Sequence, residues 1–206
     1  PAQEAAFLYV PESYDGGTNW GVLIHVDPGD GSTIRDDWKP VMASHQLIFG
    51  CAWGAENGKP DLRRIGLALD TLATIRKEYP VNPRRIVISG LSGGGLIAVQ
   101  NALLYPELFA GAISHAAQAM LRPDAGFGSH FPYLGDSDLD KVAREPIRWA
   151  FITGENDKNY KMILNQAQAW EDGKFDARVF DVPGMGHEMA NGERLDLILR
   201  WMEGRE

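Results

Sequence analysis

One stretch, residues 85–105, constrains this chain more than any other, and it reads RIVISGLSGGGLIAVQNALLY. Its start, residues 86–89, is apolar and predicts a short strand, and the part after the glycines predicts an apolar helix. Between them, residues 90–94 have the G-x-S-x-G form of a turn that exposes a nucleophilic serine. On so sharp a turn Ser92 takes a strained conformation. Glycine is needed two residues to either side, because a Cβ there would collide with the neighbouring strand or helix.

The pattern alone does not identify a nucleophile, since glycine makes up 23 of the 206 residues and so short a motif also occurs by chance. Whether the motif marks a nucleophilic serine depends on the elements around it, and the rest of the chain supplies them. Strands are predicted at 6–10, 20–26, 46–52, 110–115, 147–153 and 178–182, and further helices at 61–79, 158–171 and 193–202.

This alternation predicts an α/β fold, with a mostly parallel central sheet and helices on both faces. In such a sheet the loops after the carboxyl ends of the strands gather on one rim, where ligands bind. Residues 116–145 are predicted to form a long irregular segment, a loop or small cap over that rim. On helix 61–79, Leu62, Ile65, Leu69, Leu72 and Ile75 are spaced as one apolar stripe.

Length and charge narrow the class of protein. A chain of 206 residues fits one domain with a single core. A net charge of −8 argues against nucleic acid or an anionic membrane as the main partner, and no apolar run is long enough for a membrane span. Cys51 is the single cysteine, which excludes an intrachain disulfide.

The start at Pro1 is compatible with a removed signal peptide and export of a soluble protein, or with a trimmed start. Compartment and oligomeric state therefore stay open.

A serine hydroxyl needs a base, and the base needs an orienting acid. His187 follows the last predicted strand in the sequence Gly-Met-Gly-His-Glu, and Asp157 follows the strand before it. The order Ser, Asp, His is that of the α/β-hydrolase plan. Two alternatives stay open, namely that His187 is a surface histidine and that Asp157 only caps the next helix. Glu155 is the nearest rival acid, and Asp136 and Asp138 are weaker ones.

An oxyanion also needs donors. The N–H of Gly93, directly after the serine, is the first candidate. The second is expected in the loop after strand 20–26, where Pro28 has no N–H and Gly29 or Asp30 is therefore favoured. The alternative is that this loop is only a turn.

The other histidines have no spacing typical of metal ligands, so neither a metal site nor a cofactor is predicted. His25 is expected to be packed in its strand and His45 to lie on the surface, while His115 either lines the pocket or is structural. Four aromatic residues fall in rim loops: Trp53, Phe127, Phe131 and Tyr133. Each is either a pocket wall for an apolar or aromatic acyl group or part of the packing under its loop.

With these residues in view, residues 81–112 resemble the nucleophile region of α/β-hydrolases of the polyhydroxybutyrate depolymerase and feruloyl esterase group. The sequence YPELFA at 105–110 is particularly characteristic, and FLYVPESY and GMGHE resemble that group's first strand and histidine loop. The resemblance implies a Ser92–Asp157–His187 triad that acts on carboxylic esters, either small molecules or polymer-linked. One departure is the absence of the His-Gly that commonly follows the oxyanion strand in this group.

The sequence therefore predicts a serine hydrolase that cleaves carboxylic esters through an acyl-enzyme. Two other functions stay open: a peptidase of the same fold and a non-catalytic hydrolase-like binding protein.

Overall fold

The computed structural model describes residues 4–118, 120–121 and 134–205. Its strands are β1 (Ala6–Tyr9), β2 (Gly21–Val26), β3 (Leu47–Ala52), β4 (Ile86–Leu91), β5 (Gly111–His115), β6 (Arg148–Thr153) and β7 (Asp176–Asp181). They form one sheet in the order β1-β3-β2-β4-β5-β6-β7. β1 is antiparallel to β3, and every other pair is parallel. The predicted mostly parallel sheet is confirmed.

The helices are α1 (Lys39–Ser44), α2 (Asp61–Glu78), α3 (Gly93–Leu104), α4 (Asp136–Val142), α5 (Tyr160–Asp172) and α6 (Gly192–Met202), with 3₁₀ turns at Asp36–Trp38 and Pro106–Leu108. Apolar side chains of α2, α3 and α5 share one buried cluster, and those of α1 and α6 share another. Helices thus cover both faces of the sheet, as predicted. Within the described residues, no helix combines the length and the apolar character that a bilayer span needs.

The inner strands β2 and β3 are buried along their whole length, which explains their continuous apolar runs. On one face, Trp149 and Trp170 pack with ring centroids 4.7 Å apart, and Phe175 closes the group. On the other face, Trp38 and Phe49 pack edge to face at 6.3 Å. Burial of these large rings supplies much of the apolar area that holds the helices on the sheet.

The local structure differs from the predictions at two points, and one short helix was not predicted. Leu62 is 67% exposed, and the buried stripe of α2 instead includes Arg64. The six-residue α1 carries no apolar period long enough to detect. α4 lies inside the segment predicted to be irregular, where Leu139 and Val142 are buried three residues apart on one helical face.

His45 is not on the surface as predicted. It is 2% exposed, with Nε2 2.9 Å from Asp196 Oδ1 and Nδ1 2.9 Å from Glu203 Oε2. Arg85 donates to the carbonyl of His45 at 2.7 Å and to Glu203 at 2.8 Å. This group comprises His45, Arg85, Asp196 and Glu203. It lies where β3 and β4 begin, at the amino-terminal edge of the parallel strands, and is covered by α6.

Candidate active site

The serine turn between β4 and α3 has the predicted strained geometry. Ser92 has φ 54° and ψ −125°, a conformation that costs a non-glycine residue about 1–3 kcal/mol. A Cβ on Gly90 would lie 2.3 Å from the carbonyl carbon of Gly94, and one on Gly94 would lie 2.0 Å from the oxygen of Val26. The turn is held by a hydrogen bond of 2.9 Å from the Ser92 N–H to the His115 carbonyl. The steric need for both glycines is therefore met in the fold.

Three residues predicted from distant parts of the chain meet at this turn. The Nε2 atom of His187 lies 2.9 Å from Ser92 Oγ, and its Nδ1 lies 2.9 Å from Asp157 Oδ1. An ionised carboxylate only accepts hydrogen bonds, so Nδ1 carries the ring proton and Nε2 is free to accept from the serine. The His187 side chain is 27% exposed, while that of Asp157 is fully buried. The arrangement can accept a proton at the end that faces solvent.

The Asp157 carboxylate has two further donors. Thr153 Oγ1 donates to Oδ2 at 2.9 Å, and the N–H of Asn159 donates to Oδ1 at 3.0 Å. Asp157 therefore both orients His187 and stabilises the turn that leads into α5. The rival Glu155 instead accepts the N–H of Gly184 at 2.9 and 3.0 Å. The other rivals, Asp136 and Asp138, lie in α4.

Hydrogen bonds hold the loop that carries His187 at its carboxyl-terminal end. The N–H of Ala190 donates to His115 Nδ1 at 3.2 Å, and Trp38 Nε1 donates to the Ala190 carbonyl at 2.9 Å. The N–H of Gly192 donates to Asp37 Oδ2 at 2.9 Å. Since His115 is completely buried, the prediction that it contacts substrate is wrong, and the structural alternative left open for it holds.

His25 and His115 form a buried pair behind the site, with ring centroids 6.4 Å apart. His25 Nδ1 lies 2.9 Å from Ser89 Oγ, in agreement with the predicted packed role. Burial lowers the pKa of His25 to about 4. Burial, with the nearby charges of His25 and Arg35, lowers the pKa of His115 to about 3. Both rings are therefore neutral near pH 7.

The predicted oxyanion loop needs a correction. The N–H of Gly29 donates to Asp27 Oδ1 at 2.7 Å, so it is used inside the loop and is not a free donor. Asp30 accepts the N–H of Gly54 through its carbonyl and its carboxylate, each at 3.0 Å. The part of this segment that adjoins the serine turn is Val26 and Asp27, since a Cβ on Gly94 would lie 2.0 Å from the Val26 oxygen and 3.3 Å from the Asp27 carbonyl carbon. The N–H groups of Asp30 and Gly93 stay predictions.

Two residues beside Gly93 were missed by the sequence analysis. A Cβ on Gly93 would lie 2.1 Å from Asn57 Oδ1, so the Asn57 side chain rests against that glycine. Arg64 is 3% exposed and donates through Nε to the Ala55 carbonyl at 2.7 Å and through Nη1 to the Gly93 carbonyl at 3.2 Å. Burial lowers the pKa of the Arg64 guanidinium. The sequence carried one signal for Arg64, namely its helical spacing from Ala68, which places this charged residue on the buried face of α2.

Of the predicted pocket residues, Trp53 is 40% exposed and its ring approaches Gly31. Phe127, Phe131 and Tyr133 lie outside the described residues. In the described ranges, no three histidine, cysteine, aspartate or glutamate side chains are grouped as a metal site would need.

Comparison with known proteins adds the family. A family profile described as "Putative esterase" matches residues 21–175, which include Ser92 and Asp157. The chain belongs to this esterase family. The prediction made from residues 81–112 is thereby confirmed at the level of the family.

Among relatives, the protein named "Probable carboxylesterase SOBER1-like" from Arabidopsis thaliana is 28% identical over 144 residues, covering 65% of this chain and 48% of the relative. The chain thus spans about half the length of that curated relative. An acetyl xylan esterase from Aspergillus awamori has a TM-score of 0.70 at 14% identity, covering 98% of this chain and 95% of its own. A ferulic acid esterase from Anaeromyces mucronatus has a TM-score of 0.67 at 14% identity, covering 93% and 81%. These two similarities establish the α/β-hydrolase fold of this chain.

Proposed function

We propose that this esterase-family chain is a serine hydrolase that cleaves carboxylic esters through an acyl-enzyme. The observation that carries the proposal is the hydrogen-bonded series Ser92–His187–Asp157 at a strained turn, with both His187 distances at 2.9 Å. A serine so placed has a base on one side and a helix amino terminus on the other. Those are the two features that nucleophilic ester cleavage requires.

In the first half of the reaction, Ser92 Oγ forms a bond to the ester carbonyl carbon as its proton passes to His187 Nε2. The tetrahedral intermediate carries its negative charge on the former carbonyl oxygen. It collapses when the bond to the alcohol oxygen breaks and Nε2 returns the proton to that oxygen. The alcohol leaves, and the acyl group remains on Ser92.

In the second half, His187 Nε2 takes a proton from water as the water oxygen bonds to the acyl carbon. The bond to Ser92 Oγ then breaks, Oγ regains the proton from Nε2, and the carboxylic acid leaves. Asp157 keeps Nδ1 protonated and balances the charge of the transient imidazolium. Its buried, three-donor environment keeps that orientation fixed between the two halves.

The substrate is an ester of a small alcohol or of a polymer-linked alcohol. Partial exposure of both Ser92 and His187 supports access by either form. Trp53, at the edge of the neighbouring loop, offers an apolar surface for one part of the ester.

The test combines a fluorophosphonate probe with hydrolysis of a p-nitrophenyl ester series of increasing acyl length. We expect covalent labelling at Ser92 and ester turnover in the wild type, and neither in Ser92→Ala. Ser13→Ala, a change of an exposed serine outside the site, is the matched control and keeps both. Labelling of Ser92→Ala, or no labelling of the wild type, would overturn the proposal.

The p-nitroanilides of the same acyl groups separate an esterase from a peptidase. Faster cleavage of the anilides than of the esters would replace the ester function with amide hydrolysis. A protein that binds the ester and turns over neither substrate would instead be a binding protein of the same fold.

A further inference from the structure

The loop of residues 53–60 lies directly beside the serine turn. The N–H of Asn57 donates to the Pro28 carbonyl at 2.8 Å, and the N–H of Gly54 donates to Asp30, so this loop is bound to the loop after β2. Arg64 then joins it to the turn itself through the carbonyls of Ala55 and Gly93. The backbone around Asn57 is therefore fixed relative to Gly93.

The Asn57 side chain uses this position to approach the residue after the nucleophile. Its carboxamide occupies the space that a Cβ on Gly93 would take, with Oδ1 2.1 Å and Nδ2 3.2 Å from that position. In the described part of the chain, the carboxamide makes no hydrogen bond, and the residue is exposed. Half a turn about Cβ–Cγ exchanges Oδ1 and Nδ2, so the group can present its N–H on the same side.

A free side-chain amide at this point has a chemical use. The negative charge of the tetrahedral intermediate develops beside Ser92 Oγ and the N–H of Gly93. With the Gly29 N–H bound to Asp27, one donor expected from the loop after β2 is missing. Side-chain amides serve as oxyanion donors elsewhere, and loss of one such donor lowers kcat by about 10²–10³.

We propose that Asn57 donates a hydrogen bond from Nδ2 to the oxyanion, next to the N–H of Gly93, and that Arg64 is the positioning residue that holds Asn57 there. The proposal rests on the ester hydrolysis described above. Nδ2 keeps both of its protons throughout, so the hydrogen bond stabilises charge without changing the proton transfers of His187.

The same contact explains the identity of residue 93. Any side chain there would displace the Asn57 carboxamide, because a single Cβ already overlaps Oδ1 at 2.1 Å. Gly93 therefore makes room for the donor as well as starting α3. An energetic coupling between the two positions follows, and it can be measured in a double-mutant cycle.

The first experiment measures kcat and KM of Asn57→Ala and Asn57→Asp on a p-nitrophenyl ester. We expect kcat to fall about 10²–10³-fold in Asn57→Ala with KM changed little. A larger loss is expected in Asn57→Asp, where a carboxylate of the same shape faces the oxyanion. Lys59→Ala, in the same loop, is the control and keeps its kcat. If kcat of Asn57→Ala stays at the wild-type value, the proposal is wrong.

Fluorophosphonate labelling separates this outcome from failure of the ester function. In Asn57→Ala, Asn57→Asp and Lys59→Ala, Ser92 still becomes labelled at long incubation, because the serine and His187 are intact. Wild type that is labelled, together with an Asn57→Ala variant of full kcat, would overturn the role of Asn57 alone. Unlabelled wild type would overturn the ester function.

The second experiment is the cycle of Gly93→Ala, Asn57→Ala and the double variant. We expect the double variant to lose little more kcat than Asn57→Ala alone, since the displaced donor is already gone. Fully additive losses would contradict the contact as the source of the effect.

The role of Arg64 is read from kcat rather than from stability. Arg64→Met should lower kcat with little change in KM, and Arg64→Lys, which can still bind one carbonyl, should restore part of it. Loss of thermal stability with unchanged kcat in Arg64→Met would make Arg64 a structural residue only.

Discussion

Two histidines of this chain have a carboxylate partner at 2.9 Å, and they lie at opposite edges of the same sheet. His187 is bound by Asp157 on one side and Ser92 on the other, with its side chain 27% exposed. His45 is bound by Asp196 and Glu203 and is 2% exposed. A histidine–carboxylate pair is thus not in itself a sign of catalysis.

The two sites differ in what the second ring nitrogen contacts. In His187 that nitrogen faces a hydroxyl that can react, at the carboxyl ends of the strands. In His45 both nitrogens contact carboxylates of α6 and its end, so the ring joins that helix to the amino-terminal edge of the sheet. We infer that His187 serves the reaction and that His45 serves stability, and the predictions below test that division.

The largest expected effect comes from exchanging the two histidines for alanine. His187→Ala should lose about 10⁴–10⁶-fold in kcat for ester hydrolysis, the scale of removing a catalytic base, with unfolding little changed. His45→Ala should keep its kcat and lose about 2 kcal/mol of unfolding free energy, the scale of hydrogen bonds to charged groups. Ester assays and urea titrations on both variants measure the two quantities. A large kcat loss in a fully folded His45→Ala protein would contradict the division.

The next effect concerns the acids. Asp157→Asn should lower kcat about 10⁴-fold, because an amide at this position favours the wrong ring tautomer of His187. Glu155→Gln, a change two residues away that leaves His187 untouched, should keep most of the activity. The ester assay distinguishes the two variants, and equal losses of kcat in both would count against Asp157 as the orienting acid.

A third effect is a fall of stability in mild acid. Burial lowers the pKa of His25 to about 4 and that of His115 to about 3, from 6.5. Between pH 6.5 and 4 the unfolded chain therefore binds more protons than the folded one. The contribution of these two histidines to the unfolding free energy should then be fully present above pH 6.5. It should be lost as the pH falls, by up to about 1.4 kcal/mol per pH unit for each histidine.

Urea titrations from pH 7.5 to pH 5 measure this slope. His115→Asn keeps an acceptor for the Ala190 N–H but has no titrating ring, so its slope should be shallower even if its stability at pH 7.5 is lower. An unchanged slope would mean that other groups cause the acid sensitivity.

The smallest effect is expected at Trp53. If its exposed ring contacts the ester, Trp53→Ala should lower kcat/KM about threefold to tenfold, corresponding to ~1 kcal/mol of ring contact. The loss should be greater for an aromatic acyl group than for acetate. Leu197→Ala, an exposed apolar residue on α6, is the control. Equal values for Trp53→Ala and wild type on both esters would remove Trp53 from the substrate surface.

The sequence alone was sufficient for the strands of the sheet, for α2, α3, α5 and α6, and for the three residues that meet at the serine turn, but not for α1 and α4. The reason is that Ser92, Asp157 and His187 each follow a strand, and parallel strands bring their carboxyl ends to one rim. The local sequence pattern and the general topology of a parallel sheet were enough to place these three residues together.

The residues that were missed depend on contacts between distant segments. Asn57 is an ordinary loop residue until Gly93 lies beside it, and His45 is buried only because α6 covers it about 150 residues later in the chain. Gly29 was favoured as a donor because it has an N–H, but the side chain of Asp27 binds that group first. Such competition between local acceptors is not visible in residue spacing.

The fastening of the His187 loop has a consequence for how the protein becomes active during its synthesis. Trp38 and Ala190 are 152 residues apart, and Asp37 and Gly192 are 155 apart. During synthesis these contacts form only after both segments have been made and the entropy of the loop between them has been lost. If the chain hydrolyses esters as proposed, a growing chain that has completed the serine turn would stay inactive until residues 187–192 dock on the Asp36–Trp38 turn. Protein released before that segment is made could fold its first strands and still not hydrolyse an ester.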